Sequence, residues 1–293
     1  MKTAGRWLRG ISIVVSSLAW ISAAGARPAK PVEIALPTPA GEVRVEMPRE
    51  HLGDGDAAVL VHAPDRGIER IVLHYESAGR WLAVPLNPPA REMQSSARPE
   101  EGPRVWRGTI AHQERGTQIS YYVTVEPAGA QALVAPAGAP AEPARITFKG
   151  RPSIPVLVAH ILAMMGGLVP LAIAFVAAWI YLVRRRGLAV LRRSVLIGLV
   201  MLFLGAVPLG MVIEYQVFGT WWEGWPFGRD VTDTKTGVLL VAWLALVLAR
   251  GKEIFSRAEA LGRPRDRAWA VWVIVLGAVT AGFYLIPHEN IKF

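Results

Sequence analysis

The sequence predicts an exported β-sandwich domain followed by an all-α four-helix transmembrane bundle. Between residues 27 and 151 the apolar residues come in short runs that are broken by Gly, Pro and Asp, a pattern typical of β-strands. After Pro155 they form four runs long enough to cross the ~30 Å of bilayer hydrocarbon. A positively charged and then apolar N-terminus is typical of a secretory signal, which would place the β domain outside the cytoplasm.

The composition restricts the class of protein. Of the 293 residues 52% are hydrophobic, and they concentrate after Ile154, which indicates a membrane protein with an extramembrane part. The chain has no cysteine, so disulfides, thiolate metal sites, thiol nucleophiles and covalent c-type haem attachment are excluded. The net charge of +9 resides largely in two arginine-rich loops beside apolar spans, which favours cytoplasmic loops over a nucleic-acid site.

The first segment is a predicted signal peptide over residues 1–26. Lys2, Arg6 and Arg9 precede an apolar run, and the small residues Ala24 and Ala26 stand where a signal peptidase reads the chain. We therefore expect cleavage after Ala26, a periplasmic domain over residues 27–151 and a transmembrane domain over residues 152–293. The alternative, an uncleaved anchor, leaves the next domain on the same, exported side.

Nine short strands are predicted in the periplasmic domain. The clearest alternation lies in Thr117–Glu126, where every second side chain is apolar and one face is therefore core. So many short strands favour a β-sandwich. The predicted strands are Val32–Leu36, Glu42–Met47, Ala57–Ala63, Ile68–Tyr75, Arg80–Leu86, Val105–Ile110, Thr117–Glu126, Gln131–Ala135 and Ala144–Phe148.

The order of these strands also suggests a family of modules. A hairpin, a long coil and a strand reading ISYYVTVEPAG resemble the immunoglobulin-like or fibronectin type III-like modules of exported bacterial proteins. The resemblance implies a spacer or a binding platform. His62, His74 and His112 lack the spacing of metal ligands, so we expect strand or surface histidines.

Four transmembrane helices are predicted at about residues 155–183, 195–214, 234–250 and 268–287. With the arginine-rich loops inside, the β domain, the loop Glu214–Thr236 and the C-terminus all lie on the exported side. Pro170 and Pro208 are predicted to kink their helices, and several glycines to allow close helix packing.

The loop Glu214–Thr236 carries the candidate site. Topology puts it at the level of the outer ends of the other helices, so we predict an outward-facing ligand cluster there under an aromatic roof. The same aromatic residues suit an interfacial belt. The cluster consists of His160, Glu214, Asp230, Asp233, Lys235 and His288, and the roof of Trp221, Trp222, Trp225 and Phe227.

These residues admit other interpretations. Asp230 and Asp233 precede an apolar helix and are typical of N-caps. Lys235 could neutralise a carboxylate in a structural ion network. A b-type haem held by His160 and His288, or a zinc, manganese or iron ion that also uses Glu214 and an aspartate, fits the same side chains. The sequence contains no nucleophile elbow, P-loop or HExxH motif, and it identifies no catalytic residue.

The loop itself resembles a second group of proteins. WWEGWPFGRDVTDTKT, followed by a helix and a late IPH, is similar to uncharacterised bacterial inner-membrane proteins with a signal peptide, an exported domain and about four spans. We therefore expect an inner-membrane accessory protein that binds a periplasmic or membrane protein partner and no nucleic acid. The alternatives are a b-type haem electron-transfer subunit and a metal-dependent membrane enzyme.

Overall fold

A computed structural model describes residues 29–64, 66–86, 104–228, 230–256 and 264–285. The predicted signal peptide, His288 and the C-terminus at Phe293 lie outside these residues. The described chain divides into two compact units. A β unit contains residues 29–151 together with Val217–Gly219, and a helical unit contains Pro152–Gln216 and residues 220–285.

Ten strands in two sheets make up the described β unit. The first sheet has four strands in the order β1-β2-β4-β7; the second has the order β3-β10-β8-β5-β6, with β9 paired to β8. The strands are β1 (Val32–Thr38), β2 (Gly41–Met47), β3 (Glu50–Leu52), β4 (Ala57–Ala63), β5 (Ile68–Ser77), β6 (Arg80–Pro85), β7 (Arg104–Ile110), β8 (Gln118–Pro127), β9 (Leu133–Ala135) and β10 (Ala144–Lys149).

Both sheets bury their inner faces in one hydrophobic core. The alternation predicted in β8 is observed, because Ile119, Tyr121, Val123 and Val125 are all buried. Val59 of the opposite sheet belongs to the same core. Each predicted strand falls on an observed one, so the prediction of a β-rich domain is confirmed. Strand β3 was not predicted, since its three residues are too few to display a period.

The helical unit contains four helices that are long and apolar enough to cross a membrane, as predicted. They are α1 (Ile154–Arg184); the continuous run of α2 (Leu188–Leu204), a π-helical turn (Gly205–Leu209) and α3 (Gly210–Phe218); α4 (Val231–Leu248); and α5 (Pro264–Leu285). A 3₁₀ turn, Gly251–Phe255, follows α4. The second helix begins at Leu188 and not near residue 195, so Arg192 and Arg193 are helical and not part of a loop.

Prolines and glycines shape the first two helices. Pro208 has no N–H to donate and lies in the π-helical turn, whereas Pro170 lies within the uninterrupted α1. Helices α1 and α2 approach closely at Gly198, where an added Cβ would lie 2.6 Å from the Leu171 Cγ. The missing side chain therefore permits this helix contact.

Candidate ligand cavity

One end of the helical unit encloses a cavity of about 270 Å³. The start of α1, the region around α3, the start of α4 and the end of α5 all contribute to its wall. Its polar lining is His160, Glu214, Thr232, Asp233, Lys235 and Thr236; the remainder is Ile161, Met164, Met165, Ala206, Gly210, Ile213, Trp222, Leu239, Phe283 and Tyr284. Four of the six predicted cluster residues therefore line one cavity, namely His160, Glu214, Asp233 and Lys235.

Asp230 does not line the cavity; it is the N-cap of α4. Its Oδ1 accepts a hydrogen bond of 2.8 Å from the backbone N–H of Asp233. This bond satisfies a donor that has no partner within the helix. Asp230 is thus the capping residue, and Asp233, the other candidate for that role, faces the cavity.

The loop before α4 is tied to the first turn of that helix. The backbone N–H of Glu223 donates to Oδ2 of Asp233 at 3.2 Å. The backbone N–H of Trp225 donates to the Thr234 hydroxyl at 2.9 Å, and this hydroxyl donates to the carbonyl of Asp230 at 2.7 Å. These bonds fix the Asp233 carboxylate against the loop.

His160 has a defined tautomer when it is neutral. Its Nδ1 lies 2.9 Å from the carbonyl oxygen of Gly205, in the π-helical turn. A carbonyl only accepts, so Nδ1 carries the proton and Nε2 carries a lone pair. Gly210 lies beside the ring, since a Cβ added there would be in ordinary van der Waals contact with Cε1 at 3.7 Å.

Lys235 lines the cavity but is not held there by a salt bridge to a described carboxylate. In the described part of the chain it forms no ion pair within 4.0 Å. The predicted network in which Lys235 neutralises a neighbouring carboxylate is therefore not formed among these residues.

The four predicted roof residues separate into two groups. Trp222 lines the cavity and lies near Gly237, where an added Cβ would be 3.3 Å from the indole Cζ2. Trp221 stacks on Tyr215 with ring centroids 4.5 Å apart. Trp221, Trp225 and Phe227 are 53%, 73% and 85% exposed, which suits the interfacial belt better than a roof.

The predicted haem and metal alternatives both use His288, which lies outside the described residues. Among them no group of three or more His, Asp or Glu side chains is arranged to hold a metal ion. The cavity lining contains His160 as its one described histidine, and the predicted partner His288 lies outside the described residues.

The opposite end of the helical unit contains an ion network that was not predicted. Arg192, Arg250 and Asp266 are 3%, 2% and 1% exposed. Arg250 Nη2 lies 2.6 Å from Asp266 Oδ1, and Arg192 Nη2 lies 3.7 Å from the same oxygen. The guanidinium of Arg250 also lies 5.3 Å from the centre of the Trp269 ring. Two arginines from the ends of the arginine-rich segments are therefore buried partners of a carboxylate.

The β unit has a polar cleft of about 470 Å³ formed by β3, the β3–β4 loop, the β7–β8 loop and the segment after β10. It is lined by His51, Leu52, Gly53, Asp54, Gly55, Asp56, Arg115 and Arg151. Partial burial, and then the nearby His112, lower the pKa of His51 from its ordinary value.

Of the other histidines, His62 Nε2 lies 2.6 Å from Glu46 and His74 stacks on Tyr122.

No protein-family model matches the chain, and no curated protein matches it.

Proposed function

We propose that this chain is an integral inner-membrane protein that binds a small ligand in the α1–α5 cavity on its exported side. The supporting observation is the convergence of His160, Glu214, Asp233 and Lys235 on one cavity of about 270 Å³. This volume is just below the ~300–1,000 Å³ typical of ligand sites, so the ligand must be small, and a largely apolar wall with a few placed polar groups is typical of such sites. The arginine-rich loops support an outward orientation.

Binding fits this cavity better than catalysis does. The His160 ring is oriented by a backbone carbonyl, and the Asp233 carboxylate is held by a backbone N–H. A nucleophilic site would pair a base with a nucleophile and orient that base by a third side chain. In the described lining the Thr236 hydroxyl donates to the carbonyl of Thr232 and not to His160. We therefore assign an accessory, ligand-binding role, with the exported β unit as an immunoglobulin-like or fibronectin type III-like module that binds an envelope partner.

Native mass spectrometry of the full chain, released from mild detergent, tests the proposal. We expect a bound organic molecule of small mass in the native protein and its loss in His160→Ala/Asp233→Ala. A matched control is Ser120→Ala/Thr124→Ala on β8, which leaves the cavity intact. Equal occupancy in all three proteins would contradict the proposal, as would a haem mass with a Soret absorption band.

A further inference from the structure

We propose that the ligand of this cavity is a zwitterion, with a primary ammonium and an acidic group, that carries an apolar chain. This inference depends on the proposed binding function and specifies its ligand. It follows from the position of the charges in the cavity and from the composition of the wall.

The carboxylates and the imidazole supply the site for an ammonium group. Asp233 and Glu214 both line the cavity, and each carboxylate accepts hydrogen bonds only. The Nε2 of neutral His160 is a further acceptor, because Nδ1 is committed to Gly205. An ammonium group offers three donors, so it matches an acceptor-rich wall.

Lys235 supplies a separate site for an acidic group. It stands two positions after Asp233 on α4, and side chains at this spacing do not face each other on a helix. Both nevertheless line the cavity, and Lys235 pairs with no described carboxylate. The cavity is therefore lined by residues of opposite charge, and no described carboxylate neutralises the Lys235 ammonium. A ligand with both charges is complementary to this arrangement, whereas a simple cation would leave the half-buried Lys235 without a counter-charge.

The rest of the wall accommodates an apolar chain. Met164, Met165, Ile213, Leu239 and Phe283 line it, and methionine side chains adapt to irregular shapes. Two sources have this chemistry, the headgroup of an aminophospholipid and a free apolar amino acid.

Isothermal titration of the full chain in detergent micelles tests the inference. The probes are dihexanoyl phosphatidylethanolamine, its N-acetylated form, dihexanoyl phosphatidylglycerol, and leucine with its amide and its N-acetyl derivative. We expect a zwitterionic probe to bind about tenfold more tightly than the forms that lack one charge, which is the size of one charged hydrogen bond. Binding by phosphatidylethanolamine would identify a lipid headgroup, and binding by leucine alone would identify an amino acid; both support the inference.

Three variants connect this preference to the cavity. Asp233→Asn keeps an acceptor for the Glu223 N–H and should abolish the preference for the free amine. Lys235→Gln should abolish the preference for the free acidic group. Asp230→Asn is the matched control, since it alters the cap outside the cavity lining and should leave every affinity within twofold.

The possible failures are distinguishable. Equal affinity for the zwitterions and their N-acetylated or amidated forms would overturn the zwitterion inference and leave the binding function in place. A preference that survives Asp233→Asn would likewise overturn it. No binding of any probe, together with no copurifying molecule in native mass spectrometry, would overturn the proposed function itself.

Discussion

Asp230 and Asp233 stand one helical turn apart in the sequence and have different surroundings. Asp230 caps α4, and Asp233 lines the cavity while its backbone N–H donates to that cap. The sequence supports a cap at either residue, because Asp is favoured at the N-cap and in the first turn alike. The choice depends on the fold of the preceding loop, in which the Glu223 N–H binds Asp233.

Asp230→Ala should lower the free energy of unfolding by about 1 kcal/mol, because it removes the N-cap acceptor. The measurement is thermal unfolding of the full chain in detergent. Asp54→Ala, at an exposed loop position of the β unit, is the control and should change little. An unchanged melting temperature in Asp230→Ala would contradict the capping role.

His51 should make the β unit less stable in acid. Its pKa is lowered in the folded protein, mainly by partial burial, so the unfolded chain binds more protons below the ordinary value of 6.5. Stability attributable to His51 is therefore complete above 6.5 and decreases as the pH falls below it. Chemical denaturation across pH 5 to 8 should show a smaller pH slope in His51→Gln than in the native protein. The same dependence of unfolding free energy on pH in both proteins would show that His51 does not cause the loss of stability in acid.

At the scale of elements, the network of Arg192, Arg250 and Asp266 joins α2, the end of α4 and the start of α5. The sequence shows that arginines cluster near these helix ends, and the positive-inside pattern predicts that these ends lie on the cytoplasmic side. It could not predict that two of them are buried, because burial depends on a carboxylate more than seventy positions from Arg192 in the chain. The Oδ1 of Asp266 is shared by both guanidinium groups.

Asp266→Asn should destabilise the helical unit by about 3–5 kcal/mol, since it removes the buried carboxylate that two buried arginines share. Glu253→Gln is the control. Glu253 pairs with Arg250 at 3.1 Å, but its side chain is 41% exposed, so its loss should cost only about 0–1 kcal/mol. The free energy of unfolding of both variants is measured by titrating a denaturing detergent into the protein in mild-detergent micelles. Equal effects would contradict the burial argument.

Gly198→Ala should separate α1 from α2. The added Cβ would lie 2.6 Å from Leu171 Cγ, which forces a shift of side chain or helix. Gly282→Ala in α5 is the control, because among the described residues no neighbouring atom outside its own helical backbone lies within 4 Å of the added Cβ. We expect a lower melting temperature only for Gly198→Ala. Equal melting temperatures would mean that this helix contact contributes little.

At the scale of the whole molecule, hydrophobic patterning predicted both units because burial imposes a strong period on strands and a minimum length on membrane helices. The strand alternation in β8 and the four apolar helices illustrate this. The cavity followed partly from topology, which brings His160, Glu214 and Asp233 to one end of the bundle. Topology does not determine the direction in which a side chain points, so the roles of Asp230, Trp221 and Trp225 could be assigned only from the structure.

The cavity is proposed to open to the exported side, and the absence of native cysteine makes this testable with single-cysteine variants. Thr236→Cys places a thiol in the cavity wall, and Lys252→Cys places one in the 3₁₀ turn at the other end of α4. Thr236 lies in the first turns of α4, Lys252 lies just beyond its last turn, and both variants use the same labelling chemistry. They therefore serve as test and control for one another.

The decisive measurement is labelling of both variants by a membrane-impermeant maleimide in spheroplasts and in inverted inner-membrane vesicles. An outward-facing cavity predicts that Thr236→Cys reacts in spheroplasts, that saturating ligand slows this reaction, and that Lys252→Cys reacts only in inverted vesicles. Two results would contradict an exported ligand cavity. One is reaction of Thr236→Cys only in inverted vesicles. The other is a labelling rate of Thr236→Cys in spheroplasts that none of the binding probes changes.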